Sequence, residues 1–91
     1  MTVRQRRYPK EEFARRGNGI YERDIRRLVE ADNKGKYVAI DIESGEWEMD
    51  SNEMAAGDRL RSRIPDAQTW LVRVGYGYLH RFGAGRVRQA T

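Results

Sequence analysis

Cysteine is absent from this chain of 91 residues, which excludes disulfide bonds, thiolate zinc sites, iron–sulfur clusters and a cysteine nucleophile. Histidine occurs once, as His80, so a metal site with several histidines is excluded as well. No run of apolar residues is long enough to span a membrane, and nothing near Met1 resembles a secretory leader. We therefore expect a soluble, cytoplasmic protein that needs no cofactor and is not an enzyme.

Charge is abundant and unevenly distributed along the chain. Residues 1–36 hold eleven Lys or Arg and six Asp or Glu, whereas residues 37–58 hold seven acidic residues and no basic one. Residues 59–91 hold seven basic residues and one acidic one. An acidic block therefore separates two basic blocks, and the whole length fits one domain.

Helical periodicity follows Pro9, which suits the first position of a helix, and continues to about Ala31. Gly17, Asn18 and Gly19 interrupt this pattern. They predict either the end of one helix and the start of another, or a weak point within a single helix. A second helix is expected from Asn52 to Ile64, where Pro65 ends it.

Alternation with a period of two begins at Tyr37 and predicts a strand that buries Val38, Ile40 and Ile42. Ser44 and Gly45 are placed for a hairpin turn into a second strand, 46–50. Segments 69–74 and 78–82 predict a second hairpin, with its turn at 75–77.

The expected fold is α+β with the element order αββαββ. It has a small antiparallel four-stranded sheet, in the order 2-1-3-4, with two helices on one face and water on the other. We expect a mobile basic arm at 1–8, a single domain at 9–83 and a flexible tail at 84–91.

An acidic face is predicted on the first hairpin, because alternate residues of both strands point away from the apolar side. Like charges on paired strands repel, so this face either binds a partner's basic groups or is neutralised by the chain's own arginines. A divalent-metal site at Asp41, Glu43 and Glu48 is a further alternative. The five predicted partner-binding residues are Asp41, Glu43, Glu46, Glu48 and Asp50.

Basic residues near both termini favour a different interpretation, in which the arms neutralise nucleic-acid phosphates. Tyr76, Tyr78 and Phe82 form a possible platform for stacking bases, although packing in the core is the more usual role for such residues. The candidate nucleic-acid-binding residues are Arg4, Arg6, Arg7, Lys10, Arg15, Arg16, Arg81, Arg86 and Arg88.

Three segments carry a resemblance to a known group of proteins: GKYVAIDIESG at 35–45, PDAQTWLVRVG at 65–75 and HRFG at 80–83. They resemble a small uncharacterised bacterial family, largely cyanobacterial. The resemblance implies a compact cytoplasmic protein and transfers no activity, cofactor or site residue.

These observations together favour a non-enzymatic partner-binding module, antitoxin-like or accessory in role, that binds by electrostatic complementarity. Its expected partner is another protein or a second copy of the chain. Nucleic-acid binding is the alternative, and neither a membrane nor a small-molecule substrate is expected.

Overall fold

The computed structural model describes residues 7–78, without the side chains of residues 77 and 78. Its first element is one continuous helical rod made of α1 (Lys10–Ile20), a π-helical turn (Tyr21–Ile25) and α2 (Arg26–Val29). Pro9 precedes the rod, and its carbonyl accepts the N–H groups of Glu12 and Phe13 at 2.9 and 3.1 Å. Within residues 7–78 no helix has both the length and the apolar character needed to cross a bilayer.

Gly17 and Gly19, which interrupt the helical pattern of the sequence, lie inside α1. The helix is not broken there because it packs closely on the sheet at Gly17. A Cβ on Gly17 would lie 2.2 Å from Cδ1 of Trp70, so only glycine fits against the indole. The neighbouring Asn18 accepts a hydrogen bond of 2.6 Å from Nε1 of the same indole. The two residues therefore hold the helix on the sheet instead of ending it.

The sheet is built on β1 (Tyr37–Asp41), which pairs antiparallel with β2 (Trp47–Asp50) on one side and β3 (Thr69–Arg73) on the other. The helix α3 (Glu53–Arg63) connects β2 to β3 and starts at Asn52, whose side chain accepts the Ala55 N–H at 2.9 Å. The fold is broadly α+β.

The predicted four-stranded sheet is wrong. Three full strands form it, in the order β2-β1-β3, and the short segment β4 (Gly77–Tyr78) adds only two residue pairs, with Val72 and Arg73. Most of the strand predicted at 78–82 lies outside the described residues.

The prediction that both helices cover one face is also wrong, because they lie on opposite faces of the sheet. On one face the helical rod packs its large side chains, among them Phe13 and Ile25, on Ile40 and Trp70. On the other face α3 packs Ala56 and Leu60 against Ala39, Ala67 and the partly buried Leu71. The face expected to meet water is therefore the second half of the core.

Candidate functional site

Asp41, the first of the five predicted acidic-face residues, is buried. Its side chain is 3% exposed and accepts the Gln68 N–H at 3.0 Å and the Ser44 hydroxyl at 2.8 Å. The Gly45 N–H donates to the Asp41 carbonyl, so β1 ends here and the connection to β2 is the five-residue loop 42–46. The expectation that this carboxylate faces water is wrong, because it closes that loop.

Two arginines of α3 lie over the carboxylates of β2. Arg63 approaches Glu46 at 2.9 Å and Glu48 at 2.7 Å, and Arg59 pairs with Asp50 and lies 3.6 Å from Glu48. The pKa of Asp50 is below its ordinary value, chiefly because the Asn52 N–H donates to the carboxylate and also because Arg59 lies beside it. The counter-charges of these three acids therefore come from the same chain.

Glu43 lies in the 42–46 loop and binds the N-terminal segment. Arg7 donates two hydrogen bonds to its carboxylate, at 2.5 and 3.0 Å, and the Tyr8 hydroxyl donates a third at 2.9 Å. These donors, Arg7 foremost, lower the pKa of Glu43 to about 2. The Arg7 N–H also donates to the side-chain oxygen of Gln68 at 2.8 Å, so residues 7 and 8 of the predicted arm contact the folded domain. Residues 1–6 lie outside the described residues.

All five acidic residues thus have partners within the chain. The partner-binding role remains a prediction. The acidic surface on which it was based is neutralised within the chain by Arg7, Arg59 and Arg63. The three proposed metal ligands bind different groups, and residues 7–78 contain no cluster of three histidines or carboxylates placed to hold a metal ion.

The candidate nucleic-acid-binding residues fall into three groups. Arg15 and Arg16 both pair with Glu12, which accepts from them and has a lowered pKa for that reason. Lys10 is exposed at the start of α1 and has no carboxylate partner in the described part of the chain. The remaining candidates, other than Arg7, lie outside the described residues: Arg4, Arg6, Arg81, Arg86 and Arg88.

The charge balance separates the described domain from the two ends of the sequence. Residues 7–78 contain all fourteen acidic residues and thirteen of the eighteen basic ones, which leaves the domain at −1. The other five basic residues, all arginine, belong to 1–6 and 79–91, which contain no Asp or Glu. The surplus positive charge of the protein therefore resides in its terminal segments.

One surface of the described domain has cations without carboxylate partners beside an exposed aromatic ring. Tyr76, in the turn after β3, is 60% exposed. The guanidinium of Arg73 lies 4.2 Å from its ring centre, and the Lys34 ammonium lies 5.5 Å from it. Lys36 follows in the same turn as Lys34. We call these four residues, Lys34, Lys36, Arg73 and Tyr76, the sheet-end patch.

Backbone contacts fix the sheet-end patch. The Gly35 N–H donates to the Val74 carbonyl at 2.8 Å, which joins the turn before β1 to the turn after β3. Arg73 donates to the Gly35 carbonyl at 3.3 Å and lies 5.4 Å from the ring of Tyr37. Among residues 7–78, no carboxylate lies within ion-pair distance of any of the three cations. Asp50, which pairs with Tyr37 across β2 and β1, binds the Asn52 N–H and Arg59, and the charge of Lys36 also lowers its pKa.

The sequence analysis missed three members of this patch. Arg73 falls in the segment 69–74 that was expected to be a strand, and Lys34 and Lys36 lie just before the strand expected from Tyr37. Tyr76 was named as a residue that could stack on bases, although packing in the core was the favoured role. The side chains of Tyr78 and Phe82 lie outside the described part of the chain. The available signal was two lysines just before β1 and a tyrosine just after β3, and the pairing of β1 with β3 was needed to bring these two ends of the chain together.

No protein-family model, curated protein or solved structure matches this chain. The resemblance to a bacterial family therefore remains a prediction.

Proposed function

We propose that the protein is a non-enzymatic module that binds single-stranded nucleic acid at the sheet-end patch. The observation that carries the proposal is the exposed ring of Tyr76, which is flanked by two cations, Lys34 and Arg73, that have no carboxylate partner among the described residues. Elsewhere on the described domain most arginines are already paired within the chain, whereas at this patch unpaired cations lie beside an exposed aromatic ring.

The roles of the four residues follow from their chemistry. Lys34 and Lys36 are flexible point charges that neutralise backbone phosphates. Tyr76 offers a ring against which a base stacks, and such stacking contributes about 1–3 kcal/mol per base. Arg73 is fixed by the Gly35 carbonyl and supplies both charge and a planar group.

A single strand fits this surface better than a duplex. Stacking on Tyr76 requires an unpaired base with an open face, and a duplex keeps its bases stacked inside. In sequence, the patch is followed by residues 79–91, which include Arg81, Arg86 and Arg88 and no acidic residue. Positive charge at the patch thus continues along the sequence into a segment suited to further phosphates.

The test is fluorescence anisotropy of the full chain with a labelled oligothymidylate of about eight nucleotides, titrated at several salt concentrations. Three phosphate contacts predict that the logarithm of affinity falls with the logarithm of salt by a slope of about 2 or more. Replacing Lys34 and Lys36 with Gln reduces that slope by about 1.4. Tyr76→Leu weakens binding by roughly fivefold or more, and Tyr76→Phe keeps it.

The matched control replaces Lys10 and Arg27 with Gln, two other exposed cations without a carboxylate partner in the described region. It changes the net charge by the same amount and leaves the affinity near the wild-type value. The proposal is wrong if both double variants lose affinity equally, if Tyr76→Leu binds like the wild type, or if a duplex of the same length binds as tightly.

A further inference from the structure

A groove of about 470 Å³ runs between the helical rod and the 42–46 loop, at the end of the sheet opposite the sheet-end patch. Three arginines line its helical side: Arg15, Arg16 and Arg23. Ser44 and Gly45 form the wall across from them. The volume lies within the range of about 300–1,000 Å³ that small-ligand sites occupy.

Gly19 leaves a gap between two of these arginines. Arg15 lies one turn before Gly19, and Arg23 follows in the π-helical turn. A Cβ on Gly19 would meet no atom within 4 Å, so packing does not require glycine at this position. The missing side chain leaves the helix backbone as the floor of the groove, with an arginine on either side.

Two of the three groove arginines, Arg15 and Arg23, are held by exposed ion pairs, whereas Arg16 pairs with the partly buried Glu12 and lies 4.5 Å from the ring centre of Tyr8. Arg23 pairs with its neighbour Asp24 at 3.0 Å, with both side chains more than half exposed, and Arg15 pairs with Glu12. Exposed pairs of this kind contribute little to stability, so an anion that binds arginine in bidentate fashion replaces them readily. Two acidic residues, Asp24 and Glu43, also line the groove; Arg23 pairs with the first, and Arg7 and Tyr8 bind the carboxylate of the second.

From this arrangement we infer that the groove is a second, independent site that binds a phosphate group. Arginine matches the geometry of phosphate oxygens, and the space beside Gly19 admits the group that carries the phosphate. The same chemistry is offered by a small phosphate monoester, such as a nucleoside monophosphate, and by the terminal phosphate of an oligonucleotide. The inference does not rest on the sheet-end patch.

The experiment measures thermal stabilisation of the full chain by adenosine monophosphate and inorganic phosphate, with adenosine as the uncharged comparison, at constant ionic strength. Both phosphates raise the melting temperature of the wild type, and adenosine does not. Gly19→Leu fills the groove with a better helix former, so this variant folds at least as well but gains no stabilisation from either phosphate.

A second pair of variants keeps the test independent of folding. Arg23→Gln removes a groove cation and weakens monophosphate affinity about tenfold, whereas Arg27→Gln, on an exposed position of α2, leaves it unchanged. A further comparison uses an oligonucleotide with and without a 5′-phosphate. If only the 5′-phosphorylated form stabilises the wild type, and Gly19→Leu loses this effect, the phosphate that the groove binds is the end of a nucleic acid. The inference is overturned if no phosphate compound distinguishes the wild type from Gly19→Leu and Arg23→Gln.

Discussion

Replacing Gly17 with alanine tests the packing of the helical rod on the sheet, and the same change at Gly19 is its control. The new methyl group at residue 17 would lie 2.2 to 2.7 Å from three atoms of Trp70, distances at which the indole or the helix must move. Moving a fully buried indole and forcing extra volume into a packed core costs about 3 kcal/mol. Alanine in a helix recovers about 1 kcal/mol relative to glycine. We expect Gly17→Ala to lower the free energy of unfolding by about 2 kcal/mol.

At Gly19 the Cβ meets open space, so only the helix-propensity gain remains and Gly19→Ala is more stable than the wild type by up to about 1 kcal/mol. Urea denaturation of the two variants, followed by circular dichroism, gives the free energies and the denaturant slopes. The predicted gap between them is about 3 kcal/mol. Equal stability of the two variants would refute the close approach of α1 to Trp70.

Two further predictions concern the acidic hairpin. Asp41→Ala leaves the Gln68 N–H buried without an acceptor, so urea denaturation shows a loss of about 3 kcal/mol, whereas Asp41→Asn loses less; equal losses would contradict the role of the accepting oxygen. The pKa of Glu43, held at about 2 in the fold against 4.5 ordinarily, means that its bonds stabilise the fold above pH 4.5 and that this contribution disappears as pH falls towards 2. Glu43→Gln therefore melts below the wild type at neutral pH and level with it near pH 2, and a gap that persists at both would contradict the assignment.

The alternation in the first hairpin correctly placed Val38 and Ile40 in the core, because side chains on successive strand residues face opposite sides. The same pattern gave the wrong environment for the other face. Ala39 is fully buried under α3, yet alanine is a weak signal of burial, and the five acidic residues predicted on the same face suggested that this face meets water. Arg59 and Arg63 of α3 neutralise the carboxylates of β2 and so let the helix pack on this face. Their spacing in the sequence alone does not specify on which face of the sheet the helix packs.

The glycines of α1 show a second limit of prediction from the sequence. Gly17 and Asn18 have low helix propensity, so local preference left open whether the helix ends there or continues, and contact with Trp70 decides that it continues. The sheet-end patch depends on the same kind of distant pairing, since Lys34 and Arg73 meet only through β1 and β3. Alternation and capping can be read from neighbouring residues, whereas these contacts join residues far apart in the sequence and cannot be predicted from a local pattern.

Nuclear magnetic resonance titration of the labelled full chain with a short oligothymidylate tests the proposed interface most directly, because it reports binding residue by residue. We predict that amide signals of residues 34–37 and 73–76 shift progressively with added strand, while those of the acidic strand 47–50 stay in place. Titration to saturation with no shifts in the two turns, or with shifts confined to other surfaces, would contradict the assignment of this end of the sheet as the binding surface.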